Sequence, residues 1–183
     1  MITKRTLGRL ALALSAAGLM AMAQAETTIA YITNGNTNEG WTLINGGAKK
    51  AGSVAGVKFI ELAAEKGELS KQLAIVEDMI TRKVNAIAIA PVDSAGIAPA
   101  INKALAAGIK VVAVDTGITG AKITSYVATD NIAAAKVQGK WAGEQIKDGD
   151  TVIYVTGDLG QSTGQERKKG FVDGLNGVRK NVK

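Results

Sequence analysis

Apolar residues along this chain follow two spacings in turn. Short β-branched runs recur at 28–33 (TIAYIT), 57–62 (VKFIEL), 85–90 (NAIAIA) and 110–115 (KVVAVD), each of strand length. Between them the apolar positions fall at helical intervals. Trp41, Ile44, Ala48 and Ala51 share one face, as do Leu69, Leu73, Val76 and Ile80, and then Ile97, Ile101 and Ala104. The strand starts lie 29, 28 and 25 residues apart, the size of a strand–helix unit. No sequence self-similarity accompanies the period, so it marks a supersecondary unit and not a repeat array. Gly56 and Gly108 stand where helices should end in a left-handed cap. The expected fold is α/β, a Rossmann-like doubly wound parallel sheet with helices on both faces.

The pattern continues less regularly. A fifth run, 123–128 (ITSYVA), precedes a helical stripe of Ala134, Val137, Trp141 and Ile146. A sixth strand is expected at 151–155 (TVIYV), followed by a Gly-rich loop and a helix carrying Phe171 and Leu175. No Pro-rich, Ser-rich or low-complexity linker separates these elements from the first five strands. One strand and two helices do not make a self-sufficient second core.

The first 25 residues stand outside this pattern. Lys4, Arg5 and Arg9 precede an uncharged apolar run at 10–23, and Ala23-Gln24-Ala25 has the small-x-small form of a cleavage site. These are the three parts of a secretory signal peptide, cut after Ala25. The run is too short to span a bilayer, which takes roughly 20 apolar residues. A lipoprotein signal would need Cys at the cut, and the chain has none. The mature chain is expected to be exported into a periplasm.

Composition then narrows the chemistry. The 183 residues hold no Cys and no His, which removes disulfides, thiolate nucleophiles, His-dependent triads and Cys- or His-ligated metal. No cofactor and no metal site is expected. The formal charge of +6 falls to +3 without the leader, which carries three basic residues and no acid. Beyond Arg167-Lys168-Lys169 there is no dense basic block, so nucleic acid is not an expected partner.

In open parallel sheets ligands bind beyond the C-terminal strand ends. There the chain places Asn34-Gly35-Asn36-Thr37-Asn38-Glu39-Gly40-Trp41, then Ala90-Pro91-Val92-Asp93-Ser94, Asp115-Thr116, Thr129-Asp130-Asn131 and 157–162 (GDLGQS). Amides, carboxylates and one large aromatic suit a neutral polyhydroxylated ligand. A carboxylate or amide bonds two adjacent hydroxyls, and an aromatic face packs on the C–H side of a ring. Duller roles stay open beside these. Trp41 also fits the apolar stripe of its helix; Asn34 and Asn38 also suit turns and helix caps, and Asp93 and Ser94 suit N-caps. Asp115 is the hardest to assign to a strand, because Asp is a poor strand former. Phosphate motifs are missing: neither G-x-G-x-x-G nor G-x-x-x-x-G-K-[ST] occurs.

At these residues the chain resembles the periplasmic sugar-binding proteins of ABC importers, the ribose-binding-protein-like group of type I two-lobed receptors. The resemblance runs from about Thr28 to Val178. It is carried by Asn34, Asn38 and Trp41, by IAPVDSAGI at 89–97, GIKVVAVDTG at 108–117, YVATDNIAAA at 126–135 and QERKKGF at 165–171. It implies that Asn38 and Trp41 bond and stack on a sugar, that Asp115 grips ring hydroxyls, and that Asn34 lies in the pocket wall. Thr129-Asp130-Asn131 matches the first crossing between lobes, and Arg167 matches a structural Arg. Ribose-type members carry Arg where Thr116 and Gln165 stand here, which leaves another pentose, a hexose, a sugar alcohol or a cyclitol open. The ligand set implied is Asn34, Asn38, Trp41, Asp115, Thr116, Asp130 and Gln165, with no catalytic residue. The implied partners are a sugar or polyol and the membrane permease subunits of an importer, and the full-length receptor is expected to be monomeric.

The resemblance also divides the chain into a leader (1–25), an N-terminal sugar-binding lobe (26–130) and the beginning of a second lobe (131–183). The family's second lobe continues through further strand–helix units and returns a segment to the first, so this chain is expected to be a C-terminally truncated fragment with an incomplete second lobe. Two rivals share parts of the pattern. A lac-repressor-like effector domain would carry an N-terminal helix-turn-helix where this chain has its leader. A periplasmic enzyme acting on sugars would need a proton-transfer partner for its carboxylates.

Overall fold

The computed structural model describes residues 26–35 and 39–183; the expected leader and Asn38 lie outside the described residues. Five strands, β1 (Thr28–Thr33), β2 (Lys58–Ala63), β3 (Ala86–Ile89), β4 (Lys110–Val114) and β5 (Ser125–Val127), form one sheet in the order β2-β1-β3-β4-β5. Every pairing is parallel. The connecting helices are α1 (Glu39–Val54), α2 (Leu69–Thr81) and α3 (Ala98–Ala106). The expected strands at 28–33, 57–62, 85–90 and 110–115 all form, shifted or trimmed by no more than a residue at each end. Gly56 (φ 63°) and Gly108 (φ 82°) close their helices in the left-handed conformation.

The two sheet faces are covered unequally. Ala30, Ile32, Ile87, Ile89 and Val111 pack with Val76 and Met79 of α2 and Ile101 and Ala104 of α3 into a buried core. On the other face α1 packs over β2 and reaches β1 through the Tyr31–Asn45 hydrogen bond. Tyr31 and Phe59 stack there with ring centroids 5.8 Å apart, and a side chain at Gly52 would meet the Phe59 ring. Next to α1 a groove of about 510 Å³ runs over Ile44, Ala48, Tyr31, Ala88 and Val114. Ala86, Ala88, Val112 and Val114 are therefore only half-buried.

Beyond β5 the chain forms α4 (Asn131–Gln145) and α5 (Ser162–Asn176). Two expectations fail here. Residues 151–155 make no strand: Ile153 and Val155 are both 86% exposed. A strand is defined by its ladder, and the nearest backbone partner is 181–183, which exchanges bonds only with 149–152 (Val152 N–H to Lys183 O, 2.8 Å; Lys183 N–H to Asp150 O, 3.0 Å). The apolar stripe of α4 is also not its packed face. Val137 and Trp141 are exposed, whereas Asn131, Ala135, Gly139 and Gly143 are buried. The reason is close packing: Cβ atoms added at Gly139, Gly170 or Gly174 would collide with backbone of the facing helix. Around this contact Ala135, Phe171 and Leu175 form a second apolar cluster with Ile146, Val152 and Tyr154, Tyr154 stacking on Phe171 at 4.6 Å.

Candidate functional site

Because all five strands are parallel, their C-terminal ends share one edge. In the order 2-1-3-4-5 the connections from β1 and β3 leave in opposite directions, which opens a crevice between them. β1 runs out into Asn34 and Gly35 (φ 148°), and β3 into the buried Ala90-Pro91-Val92. Gln72 of α2, fully buried, stitches these exits together. Its amide donates to Ala90 O (2.9 Å) and Thr33 O (3.4 Å), and its carbonyl accepts from Val92 N–H (2.8 Å).

Asp115 projects from the end of β4 next to this crevice. Its φ is 61°, and the Thr116 N–H donates back to Val114 O at 2.6 Å, so three residues close a γ-turn of the rare, strained hand. Thr116 is fully buried, and its hydroxyl donates to the Asp115 carboxylate (3.1 Å). Thr116 thus acts on the edge through Asp115.

The remaining expected positions separate. Trp41, in the first turn of α1 and half-buried, enters the same edge as Asn34. Asp130 accepts from Ala133 N–H (2.9 Å) and caps α4. Gln165 donates to Leu159 O (2.7 Å) and lines a surface groove with Leu159, Lys168 and Lys169. The structure therefore brings Asn34, Trp41, Asp115 and Thr116 to one edge, and places Asp130 and Gln165 in local roles. Arg167 donates to Asn131 Oδ1 (2.8 Å), and the Asn131 amide donates to Glu166 (3.2 Å) and Thr129 O (3.1 Å). These bonds tie the start of α4 to α5.

Sequence reasoning missed a polar junction across this edge. Ser94, buried in the loop after β3, accepts from the Ser162 N–H at the start of α5 (2.9 Å), and its own N–H donates to Gly160 O (3.0 Å). The Gly117 N–H donates to Ser162 Oγ (2.9 Å). Asp93 folds its carboxylate onto Ala95 and Gly96 N–H, as an N-cap does. No sequence signal marks this junction, because Ser94 and Ser162 stand 68 residues apart. Beneath α1, the Tyr31 hydroxyl donates to Asn45 Oδ1 (3.0 Å). Burial, with Glu61 and Asp115 nearby, pushes its phenol up to about 12. Among the described residues no cluster of His, Cys, Asp or Glu could hold a metal ion.

A carboxylate, an amide and an indole on one strand-end edge can bond paired hydroxyls and cover an apolar ring face. Comparison with known proteins shows the family. Residues 29–183 match the family described as periplasmic binding protein domain. The ribose import binding protein RbsB of Escherichia coli K12 is 30% identical over 172 residues, covering 94% of this chain and 57% of the relative. The D-ribose/D-allose-binding protein of Pseudomonas aeruginosa is 32% identical over 157 residues, covering 80% of this chain and 49% of the relative. Among solved structures, a solute-binding protein of Burkholderia graminis in complex with D-arabinose superposes with a TM-score of 0.78 at 29% identity, covering 88% of this chain and 56% of that one. One from Actinobacillus succinogenes with bound D-allose gives 0.74 at 29% identity, covering 86% and 57%. The chain spans about half the length of the curated relatives it matches.

Proposed function

The chain belongs to the periplasmic binding protein domain family, and from that premise we propose that it is the substrate-binding component of an ABC importer for a neutral monosaccharide or related polyol. The observation that carries this reading is Asp115. It is a carboxylate held in a strained turn beside the β1/β3 crevice, on the same edge as Asn34 and Trp41. Backbone strain concentrates where a side chain must be presented in one direction. In this reading Asp115 and Asn34 accept and donate to ring hydroxyls, and Trp41 covers the C–H face. The replacement of two Arg positions of ribose-type members by Thr116 and Gln165 turns the preference toward a sugar other than ribose. The chemistry is binding, with no covalent step.

Residues 26–130 then form the first lobe and residues 131–183 the start of the second, with the ligand enclosed as the lobes close. The closed pair of lobes is the surface a membrane permease reads. The leader directs export to the periplasm with cleavage after Ala25. The half-covered sheet face over Ala88 and Val114 is where the additional length of the relatives would complete the first lobe. Fluorescence titration with a panel of neutral pentoses, hexoses, polyols and cyclitols tests the reading. A saturable response to at least one member, lost in Trp41→Phe and Asp115→Ala but kept in Trp141→Phe, is expected. A response of equal size in all three variants would refute it.

A further inference from the structure

The turn at Asp115 is held from outside itself. Its N–H donates to Val127 O (2.9 Å), and its carbonyl accepts from the Tyr126 hydroxyl (2.9 Å), both on β5. The following residue, Gly117, donates its N–H to Ser162 Oγ (2.9 Å) at the start of α5. Gly117 leaves little room, since a Cβ there would stand 3.2 Å from Ser162 Oγ and 3.5 Å from the Tyr126 ring. Ser162 is itself anchored, its N–H given to the buried Ser94 hydroxyl.

A non-glycine residue keeps a left-handed conformation only where its surroundings over-determine it. Here the bracing comes from two elements, one of which, α5, belongs to the part of the chain beyond the sheet. We propose that Tyr126 and Ser162 are positioning residues for Asp115, so that the direction of its carboxylate depends on the start of α5 being seated against the sheet edge. Movement of α5 away from that edge removes the partner of the Gly117 N–H and the Ser162 side chain that stands with the Tyr126 ring around Gly117. The γ-turn then relaxes, and the carboxylate leaves its direction. Lobe position and ligand grip are joined through one turn. The use of this link in ligand binding rests on the reading of Asp115 given above; the bracing itself does not.

Amide exchange and three-bond couplings across φ of Asp115, measured by NMR on the isotopically labelled full chain, separate the two. In Tyr126→Phe and in Ser162→Ala, the Thr116 amide is expected to exchange about tenfold faster or more. The Asp115 couplings should move off their left-handed values, while Ile87 and Ile89 amides in β3 keep their wild-type rates. Ser162→Thr, which restores the hydroxyl, should return Thr116 to the wild-type rate. Unchanged Thr116 exchange and unchanged Asp115 couplings in both single variants would overturn the proposal. So would equal acceleration at Thr116 and in β3, which would mark general loosening. If the bracing effects appear but no neutral sugar shifts the Asp115 signals, the positioning role stands and the binding reading falls.

Discussion

Adding one methyl group should have opposite effects at helical glycines that face another helix and at one that faces open space. Gly139 of α4 faces α5 so closely that a Cβ would fall far inside contact distance of the Phe171 carbonyl, and Gly174 of α5 faces the Lys136 carbonyl in the same way. Backbone cannot rotate aside as a side chain can. Gly139→Ala or Gly174→Ala must therefore push the helices apart and loosen the cluster of Ala135, Phe171 and Leu175. Overpacking of this kind costs ~1–3 kcal/mol, with backbone contacts at the upper end. Alanine returns ~0.5–1 kcal/mol of helix propensity, so the net loss is ~2 kcal/mol. At Gly46 of α1 a Cβ meets nothing within 4 Å, and only the propensity gain of ~0.5–1 kcal/mol remains. For a chain of this size a kilocalorie moves the melting temperature by roughly 2–4 °C. Thermal melts followed by far-UV circular dichroism should show Gly139→Ala and Gly174→Ala melting ~4–8 °C lower, with Gly46→Ala slightly higher. Stabilisation at all three positions would mean that α4 and α5 do not approach through their glycines, and would refute the packing described above.

Three further outcomes follow from single residues. Tyr31 has its phenol raised from 10.0 to about 12 in the folded chain. The unfolded state therefore releases this proton first, and stability should fall as pH rises from about 10 to about 12, by ~2 kcal/mol from this group. Urea melts of wild type against Tyr31→Phe should show the wild-type excess shrinking across that window; a constant difference would contradict the burial of the phenol. Gln72→Leu takes the side-chain partner from Ala90 O and Val92 N–H and should cost ~1–3 kcal/mol in denaturant titration. A neutral result would show that the two strand exits are held by other means. Gly108→Ala meets no steric obstacle but sits at φ 82°, so the same titration should record a loss of ~1–2 kcal/mol from conformation alone.

The sheet was legible because β-branched runs of strand length, separated by helical stripes, need little tertiary information. Gly56 and Gly108 marked helix ends for a local reason, their left-handed φ. Residues 151–155 share the same β-branched pattern, yet pairing partners decide a ladder and the pattern does not name them. On α4 the bulky apolar residues Val137 and Trp141 are exposed, whereas the buried face is made by Ala135, Gly139 and Gly143. That stripe also recurs every four residues and was visible as a run of small side chains. Asn34, Trp41 and Asp115 were legible as strand-end residues once the sheet was taken as parallel. The γ-turn at Asp115, the buried hydroxyl of Thr116 and the Ser94–Ser162 bond depend on segments far apart in the chain. No local pattern encodes them.

In the proposed function the strand-end edge holding Asn34, Trp41 and Asp115 binds a neutral sugar or polyol. This is tested most directly by NMR titration of the labelled chain with a panel including D-allose, D-arabinose, D-ribose and myo-inositol. Saturable shifts are expected for at least one member, confined to Asn34, Gly35, the Trp41 indole and residues 115–117. Shifts centred on the α4–α5 groove, or no saturable shift at residues 34, 41 and 115–117 for any member, would contradict it.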